Sequence, residues 1–199
     1  MSIDAQFVPR DQSDVDRLHA FRLLAHAEIQ HYIDMLAQMI LDKTQDRATN
    51  EGVLTHAGHH LLVYYALEPL GTPRDAPNAR YPEFIPAIAV ASRLQAPARL
   101  TKAIQRHQKL IEFNNGLKAG NVRRVLVPIG YREDLFATGM LDQLDNLGAA
   151  RGDVAHGSGV IGFSSWPSGS TEWTRLRLIL PGLDALERYA PRLLRAAHG

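Results

Sequence analysis

Two side chains near residue 150 have the types and the spacing to act on a phosphodiester. Arg151 and His156 are separated by four residues, in a stretch whose apolar pattern predicts a helix. A guanidinium is permanently charged and fits a phosphate group, and imidazole is the side chain whose ordinary pKa suits proton transfer near neutral pH. The chain has no cysteine and no recognisable cluster of metal ligands, so this pair points to metal-free chemistry on a phosphodiester.

Helix geometry limits how such a pair can work. On an uninterrupted α-helix, five positions rotate a side chain by roughly 140°. Arg151 and His156 would then diverge instead of closing on one phosphate. Two solutions are open: the helix is distorted near Gly148 or Gly152, or the site is assembled from two copies of the chain.

A structural role for the same residues is the alternative. His156 could cap the end of its helix, because Gly157 follows directly and glycine commonly terminates helices. At such an end the helix dipole favours the charged imidazolium. Arg151 could pair with Asp153 or Asp145, which lie on the same predicted helix.

The first predicted helix carries a second group of polar side chains. On a helical wheel Arg22 lies within roughly 20° of the centre of the apolar stripe, His26 lies at its flank, and Glu28 projects from the opposite flank. A cation directed at the core must be paired, reach solvent or face a cleft. These three residues are therefore secondary catalytic candidates. The equally open alternative is that a buried carboxylate, such as Glu28 or Asp153, holds the arginine.

Four stretches of the chain resemble the HEPN superfamily. The stretch FRLLAHAEIQHY at residues 21–32 resembles the first helix of HEPN proteins. Farther along, NGLKAGNV at 115–122, LVPIG at 126–130 and RGDVAH at 151–156 resemble the RiboL-PSP type of that superfamily. The resemblance extends from about residue 13 to residue 157.

This resemblance implies an all-α, HEPN-like helical bundle that acts as a homodimer. Many HEPN proteins are metal-independent endoribonucleases of prokaryotic defence, toxin–antitoxin or RNA-processing systems. In the reaction that the resemblance implies, the ribose 2′-oxygen attacks the adjacent phosphorus and leaves a 2′,3′-cyclic phosphate. His156 would be the general base or acid and Arg151 would stabilise the phosphoryl charge. Asp153 would have a supporting role, although Gly152 stands where an Asn or Asp commonly follows the arginine.

Two other functions stay open. Some HEPN proteins have lost activity, so the chain could be an inactive dimer that binds RNA or a partner protein such as an antitoxin. His56, His59 and His60 have a spacing that can ligate a metal, although no fourth ligand lies nearby in the sequence. We expect no metal and no cofactor.

Positive charge is concentrated in one segment of a nearly neutral chain. The net charge is +1, but residues 98–132 include eight basic side chains and one acidic side chain, so this segment carries +7 and the remainder −6. Such polarisation can attract the phosphates of RNA, although a charged run is often only a solvated helix face. The candidate RNA-binding residues are Arg99, Lys102, Arg106, Lys109, Lys118, Arg123 and Arg124.

Length and composition favour one globular domain of 199 residues, with a hydrophobic content of 45%. The lack of cysteine excludes disulfides and zinc–thiolate sites. No apolar stretch is long enough to cross a bilayer, and residues 1–10 lack the apolar core of a signal peptide. We therefore expect a cytoplasmic protein with no membrane association.

Apolar periodicity and punctuation by proline and glycine predict the order of the elements. A polar arm at residues 1–12 precedes a long first helix capped by Asp11 or Ser13. Residues 173–180 fit either a helix or an extended segment, because Leu176, Leu178 and Leu180 alternate. The other predicted helices span 53–67, 84–94, 97–113, a short one from the cap Asn121 to Val127, 132–156, and Pro181 to Ala197, with loops at 71–82 and 157–171.

Overall fold

The computed structural model describes residues 7–66, 96–156 and 168–197, and in residues 66, 96 and 152–156 it describes the backbone alone. These residues confirm the all-α prediction, because the described part of the chain contains helices and no strand. The helices are α1 (Gln12–Asn50), α2 (His56–Ala66), α3 (Ala96–Glu112), α4 (Ala119–Leu126), α5 (Met140–His156) and α6 (Gly169–Leu193), with short 3₁₀ turns at Val127–Ile129 and Glu133–Leu135.

Helix α1 is the longest of the described helices and begins where the sequence predicts. The Asp11 carboxylate accepts a hydrogen bond from the Asp14 N–H at 3.0 Å, so Asp11 is the N-cap. The helix ends before Gly52, whose φ of +67° places it in the left-handed region that commonly follows a helix. The buried apolar side chains recur at spacings of three and four along α1, and they include Val15, Leu18, Ile29, Ile33, Leu36 and Ile40.

The chain forms two compact units that are interleaved in sequence, and the long helices α1 and α6 contribute residues to both. Unit 1 comprises Met1–Ile33, Asn115–Val122 and Asp134–Leu186, and unit 2 comprises Asp34–Asn114, Arg123–Glu133 and Glu187–Gly199.

Unit 1 is held together by close packing between α5 and α6. Gly182 of α6 lies against the first residue of α5, since a Cβ added there would be 3.0 Å from the Cγ of Met140. The start of α4 is capped from α5, because the Asp145 carboxylate accepts a hydrogen bond from the Ala119 N–H at 2.7 Å. The prediction that Asn121 caps this helix is wrong, because this tertiary contact supplies the acceptor two residues earlier.

Unit 2 contains a buried histidine that ties three helices together. His107 of α3 has Nε2 at 2.8 Å from the Val125 carbonyl of α4 and Nδ1 at 2.9 Å from the Tyr65 hydroxyl of α2. A carbonyl can only accept, so Nε2 donates and Nδ1 accepts from the tyrosine. Burial lowers the pKa of His107 to about 4, although the hydrogen bond to Val125 opposes this shift. The imidazole is therefore neutral at physiological pH.

Other helix boundaries also differ from the prediction. Helix α6 starts at Gly169, inside the predicted loop 157–171, and runs through Pro181, which was expected to begin the last helix. Pro181 and Arg177 are exposed, so water can bind the Arg177 carbonyl that lacks an N–H donor in the next turn. Helix α5 starts at Met140, later than the predicted residue 132. The predicted loop 71–82 and the helix 84–94 lie outside the described residues.

Among the helices described, none combines the length and the apolar character that a membrane span requires.

Candidate functional site

Three polar side chains of unit 1 share one face of α1. His19, Arg22 and His26 follow one another at spacings of three and four residues, so they lie on the same side of the helix as the buried Leu18 and Ile29. Positions on the buried face of α1, where the helical periodicity places hydrophobic side chains, are thus occupied by side chains that can carry charge. His26 is only 4% exposed.

Arg22 is held by a carboxylate from the distant helix α6. Its Nε and Nη2 atoms both lie 2.7 Å from Oε1 of Glu172. Glu172 is 1% exposed, and the Arg22 side chain is 15% exposed. The expectation that a buried carboxylate holds Arg22 is confirmed, but the carboxylate is that of Glu172 and not that of Glu28 or Asp153. Glu28 is exposed on α1, and the Asp153 side chain lies outside the described residues.

The same carboxylate binds a second guanidinium. Nη1 of Arg175, one turn along α6, lies 2.5 Å from Oε2 of Glu172. Arg175 is 8% exposed, and its buried Nε has no hydrogen-bond partner within the described part of the chain. Glu172 therefore lies between two arginines, and one N–H of this buried cluster is unsatisfied.

Nearby charges act on the two histidines of this face. Burial lowers the pKa of His26, and the positive charge of Arg151 lowers it further. Burial and Arg22 lower the pKa of His19, while Asp16 and Glu172 oppose the shift. Both imidazoles are therefore neutral at pH 7. Arg151 of α5 and His26 of α1 both belong to unit 1, and the charge of the guanidinium acts on the imidazole.

Helix α5 is continuous to His156, without a break at Gly148 or Gly152. The alternative of a distorted helix is therefore not observed in the backbone of α5. Arg151 is exposed. For His156 and Asp153 the backbone lies in the last turns of α5, and their side chains lie outside the described residues.

The candidate RNA-binding residues have different surroundings. Those on α3 are exposed, on the face opposite the buried Leu100, Ile104 and Ile111. Arg123 is paired with Glu133 at 2.9 Å, and Arg124 is partly buried, so neither is a free surface cation. The exposed members of the set are Arg99, Lys102, Arg106 and Lys109 in unit 2 and Lys118 in unit 1.

The histidines at the start of α2 do not form a recognisable metal site. His56 and His60 are exposed and His59 is partly buried. Burial is the main cause that lowers the pKa of His59 and His60, and neighbouring histidines add to it. Within the described residues, no group of three or more histidine, cysteine or acidic side chains is arranged to hold a metal ion.

Sequence reasoning missed Glu172, Arg175 and His19. Glu172 directly follows the predicted loop 157–171, and Arg175 lies in the segment 173–180 that fits either a helix or an extended segment, so the sequence does not place either residue on a buried helix face. The sequence does contain a signal for His19, because this residue lies three positions before Arg22 on the same predicted stripe.

Comparison with protein families, with curated proteins and with solved structures found no match. The resemblance to the HEPN superfamily therefore stays a prediction.

Proposed function

We propose that this chain is a metal-independent endoribonuclease with a HEPN-like helical bundle, active as a homodimer in the cytoplasm. The observation that carries the proposal is the electrostatic coupling of Arg151 to His26 within unit 1. Burial is the main cause that lowers the pKa of the His26 imidazole, and the exposed guanidinium of Arg151 lowers it further. Arg151 thus supplies a phosphate-binding group that is coupled to an imidazole, His26, whose lowered pKa favours the uncharged form at neutral pH.

In the proposed reaction, a neutral imidazole removes the proton of the ribose 2′-hydroxyl. The 2′-oxygen attacks the adjacent phosphorus, the bond from phosphorus to the 5′-oxygen breaks, and an imidazolium returns a proton to that oxygen. His156 is the base or the acid, and Arg151 stabilises the charge on the phosphoryl oxygens. The products are a 2′,3′-cyclic phosphate and a 5′-hydroxyl.

His26 has a different role in this scheme, because so little of it is exposed. A neutral imidazole beside Arg151 adds no competing charge and leaves the guanidinium available to a phosphate. His26 is therefore a positioning residue that acts through Arg151. Asp153 supports the site by orienting Arg151 or a histidine.

The continuous α5 favours a site shared between two chains. Because five positions on an uninterrupted helix correspond to a rotation of roughly 140°, a single phosphate is expected to meet both groups when Arg151 and His156 come from different protomers. The exposed cations of α3, which include Arg99, Lys102 and Lys109, would bind phosphates of the RNA backbone, and such contacts do not depend on the base sequence. Defence, toxin–antitoxin or RNA-processing systems are the proposed context, with an antitoxin as the proposed partner protein.

A second candidate is a catalytically inactive HEPN dimer that binds RNA or a protein. The pairing of Arg22 with Glu172 favours it, because an arginine bound to a buried carboxylate supports the fold and is not free to bind substrate. This observation leaves Arg151 as the available guanidinium on which the enzymatic proposal depends.

Incubation with single-stranded and structured RNA in the presence of a chelator separates the two candidates. The enzymatic proposal predicts products with 2′,3′-cyclic phosphate ends and loss of cleavage in His156→Ala and Arg151→Ala proteins. His31→Ala is the matched control, because His31 is an exposed histidine of α1. The H31A protein should cleave RNA as the parent does. Binding without cleavage by the unmodified chain supports the binding module, and cleavage that survives in H156A contradicts the mechanism.

A further inference from the structure

The cluster around Glu172 contains more positive than negative charge. Arg22 and Arg175 both contact Glu172, so two guanidiniums share one buried carboxylate. His19 and His26 contribute no charge at neutral pH, because burial lowers the pKa of each.

An excess of positive charge in a buried site is costly unless an anion balances it. Asp16 is exposed, and its side chain also accepts a hydrogen bond from Gln12 at 2.9 Å. Asp16 is thus a weak counterion for the guanidinium of Arg175, whose side chain is only 10% exposed. Within the described residues, the side chains in contact within this cluster are one carboxylate, Glu172, and two guanidiniums, Arg22 and Arg175, so the cluster has a net positive charge.

Arg175 shows where such an anion would bind. Its Nη1 is used by Glu172, and its buried Nε has no hydrogen-bond partner in the described part of the chain. In a guanidinium, Nε and Nη2 form the edge that binds two oxygens of a phosphate or carboxylate at once. Arg22 uses this same pair of atoms on Glu172.

Access and field are also suited to an anion. The side chains of Arg22 and Arg175 are 15% and 10% exposed, so part of the cluster reaches solvent although the Nε atom of Arg175 is itself buried. Arg175 lies in the second turn of the long helix α6, where the positive end of the helix dipole attracts negative charge.

We propose that the cluster of Arg22, Glu172 and Arg175 in unit 1 binds a tetrahedral oxyanion, a free phosphate or the phosphate of a phosphoester, on the free edge of Arg175. The anion completes the charge balance of the cluster and satisfies the buried Nε. The site is distinct from the proposed cleavage residues at the end of α5. Because its ligand is recognised without RNA, the inference does not rest on the nuclease proposal.

Calorimetric titration with inorganic phosphate at constant ionic strength tests the site. We expect one saturable site in the unmodified chain and binding weaker by about tenfold or more in Arg175→Lys, which keeps the charge but loses the forked edge. Arg177→Gln is the matched control, because Arg177 is an exposed arginine on the same helix, and its affinity should equal that of the parent. The absence of saturable binding, or an equal loss in R175K and R177Q, overturns the proposal.

Two further measurements keep this test decisive. Circular dichroism verifies that R175K is folded. If R175K is not folded, thermal unfolding of the parent tests the proposal. Its midpoint should rise saturably with phosphate and should not rise with sodium chloride of the same ionic strength. Titration with adenosine 5′-monophosphate distinguishes the two sources of the anion, since tighter binding than phosphate assigns a phosphoester and weaker binding assigns free phosphate.

Discussion

Arg22 and Glu172 lie 150 positions apart in the chain, and a contact of 2.7 Å joins them inside unit 1. The pair connects the first part of α1 to the first turn of α6 at core positions of both helices. A charged pair at such positions makes the packing of the two helices depend on both partners. The energetic consequences can be measured.

Removal of the shared carboxylate should cost far more stability than removal of an exposed one. Glu172→Gln leaves two buried guanidiniums without a counterion, so we expect the free energy of unfolding to fall by about 3 kcal/mol. Glu133→Gln is the control, because Glu133 pairs with Arg123 while 51% exposed, and its loss should be below about 1 kcal/mol. Urea denaturation measures both, and equal losses would contradict the structural role of Glu172.

Stability should depend on pH through His107. Its pKa is about 4 in the folded chain and near 6.5 when unfolded, so the unfolded state binds more protons between these values. The stabilisation by the neutral imidazole is complete above pH 6.5 and is lost as the pH falls toward 4, by a total of roughly 3 kcal/mol.

The other shifted histidines change stability in the same direction, so the variant must isolate His107. His107→Gln removes this titration and retains a donor for the Val125 carbonyl. We expect it to be less stable at pH 7.5 than the parent but to lose less stability between pH 6.5 and 4, as followed by urea denaturation. A parallel decline of both proteins would contradict the assignment.

The electrostatic effect of Arg151 on His26 can be measured from the titration of the imidazole. Arg151→Ala removes a positive charge that lowers the pKa of His26, so this pKa should rise toward its ordinary value while burial still holds it lower. Proton NMR of the His26 ring measures the change. Arg177→Ala, which removes a charge elsewhere in unit 1, should have no effect, and a His26 pKa unchanged by R151A would show that the two groups are separated.

Much of the fold follows from local sequence signals. The Asp11 cap and the period of the apolar residues define α1, and the position of Arg22 on that stripe indicates a buried cation that needs a partner. The identity of the partner could not be predicted, because Glu172 becomes adjacent to Arg22 only through tertiary packing.

Tertiary contacts also explain the boundary errors. A proline suits the first turn of a helix, which favoured a start at Pro181, yet α6 continues through it with its buried face on both sides of the proline. Asn121 has the side chain of a good cap, but Asp145 from another helix already supplies the acceptor. In both cases a nonlocal interaction overrides a correct local preference.

Two glycines in helices should respond oppositely to alanine. Gly182→Ala places a methyl group against Met140, so we expect the free energy of unfolding to fall by about 1–3 kcal/mol despite the better helix propensity of alanine. Gly120→Ala in α4 enters open space and should raise stability by up to about 1 kcal/mol. Thermal unfolding measures both, and a stabilising G182A would show that α5 and α6 pack less closely.

Mixing two inactive variants tests the shared site most directly. If Arg151 and His156 of different protomers form each site, a heterodimer of R151A and H156A retains one intact site of two. Equal mixing with free exchange makes half of the dimers heterodimers, so the mixture should regain about a quarter of the parent's RNA cleavage and elute at twice the 22.1 kDa of one chain. A monomer, or a mixture no more active than its separate components while the parent cleaves RNA, would contradict the composite site.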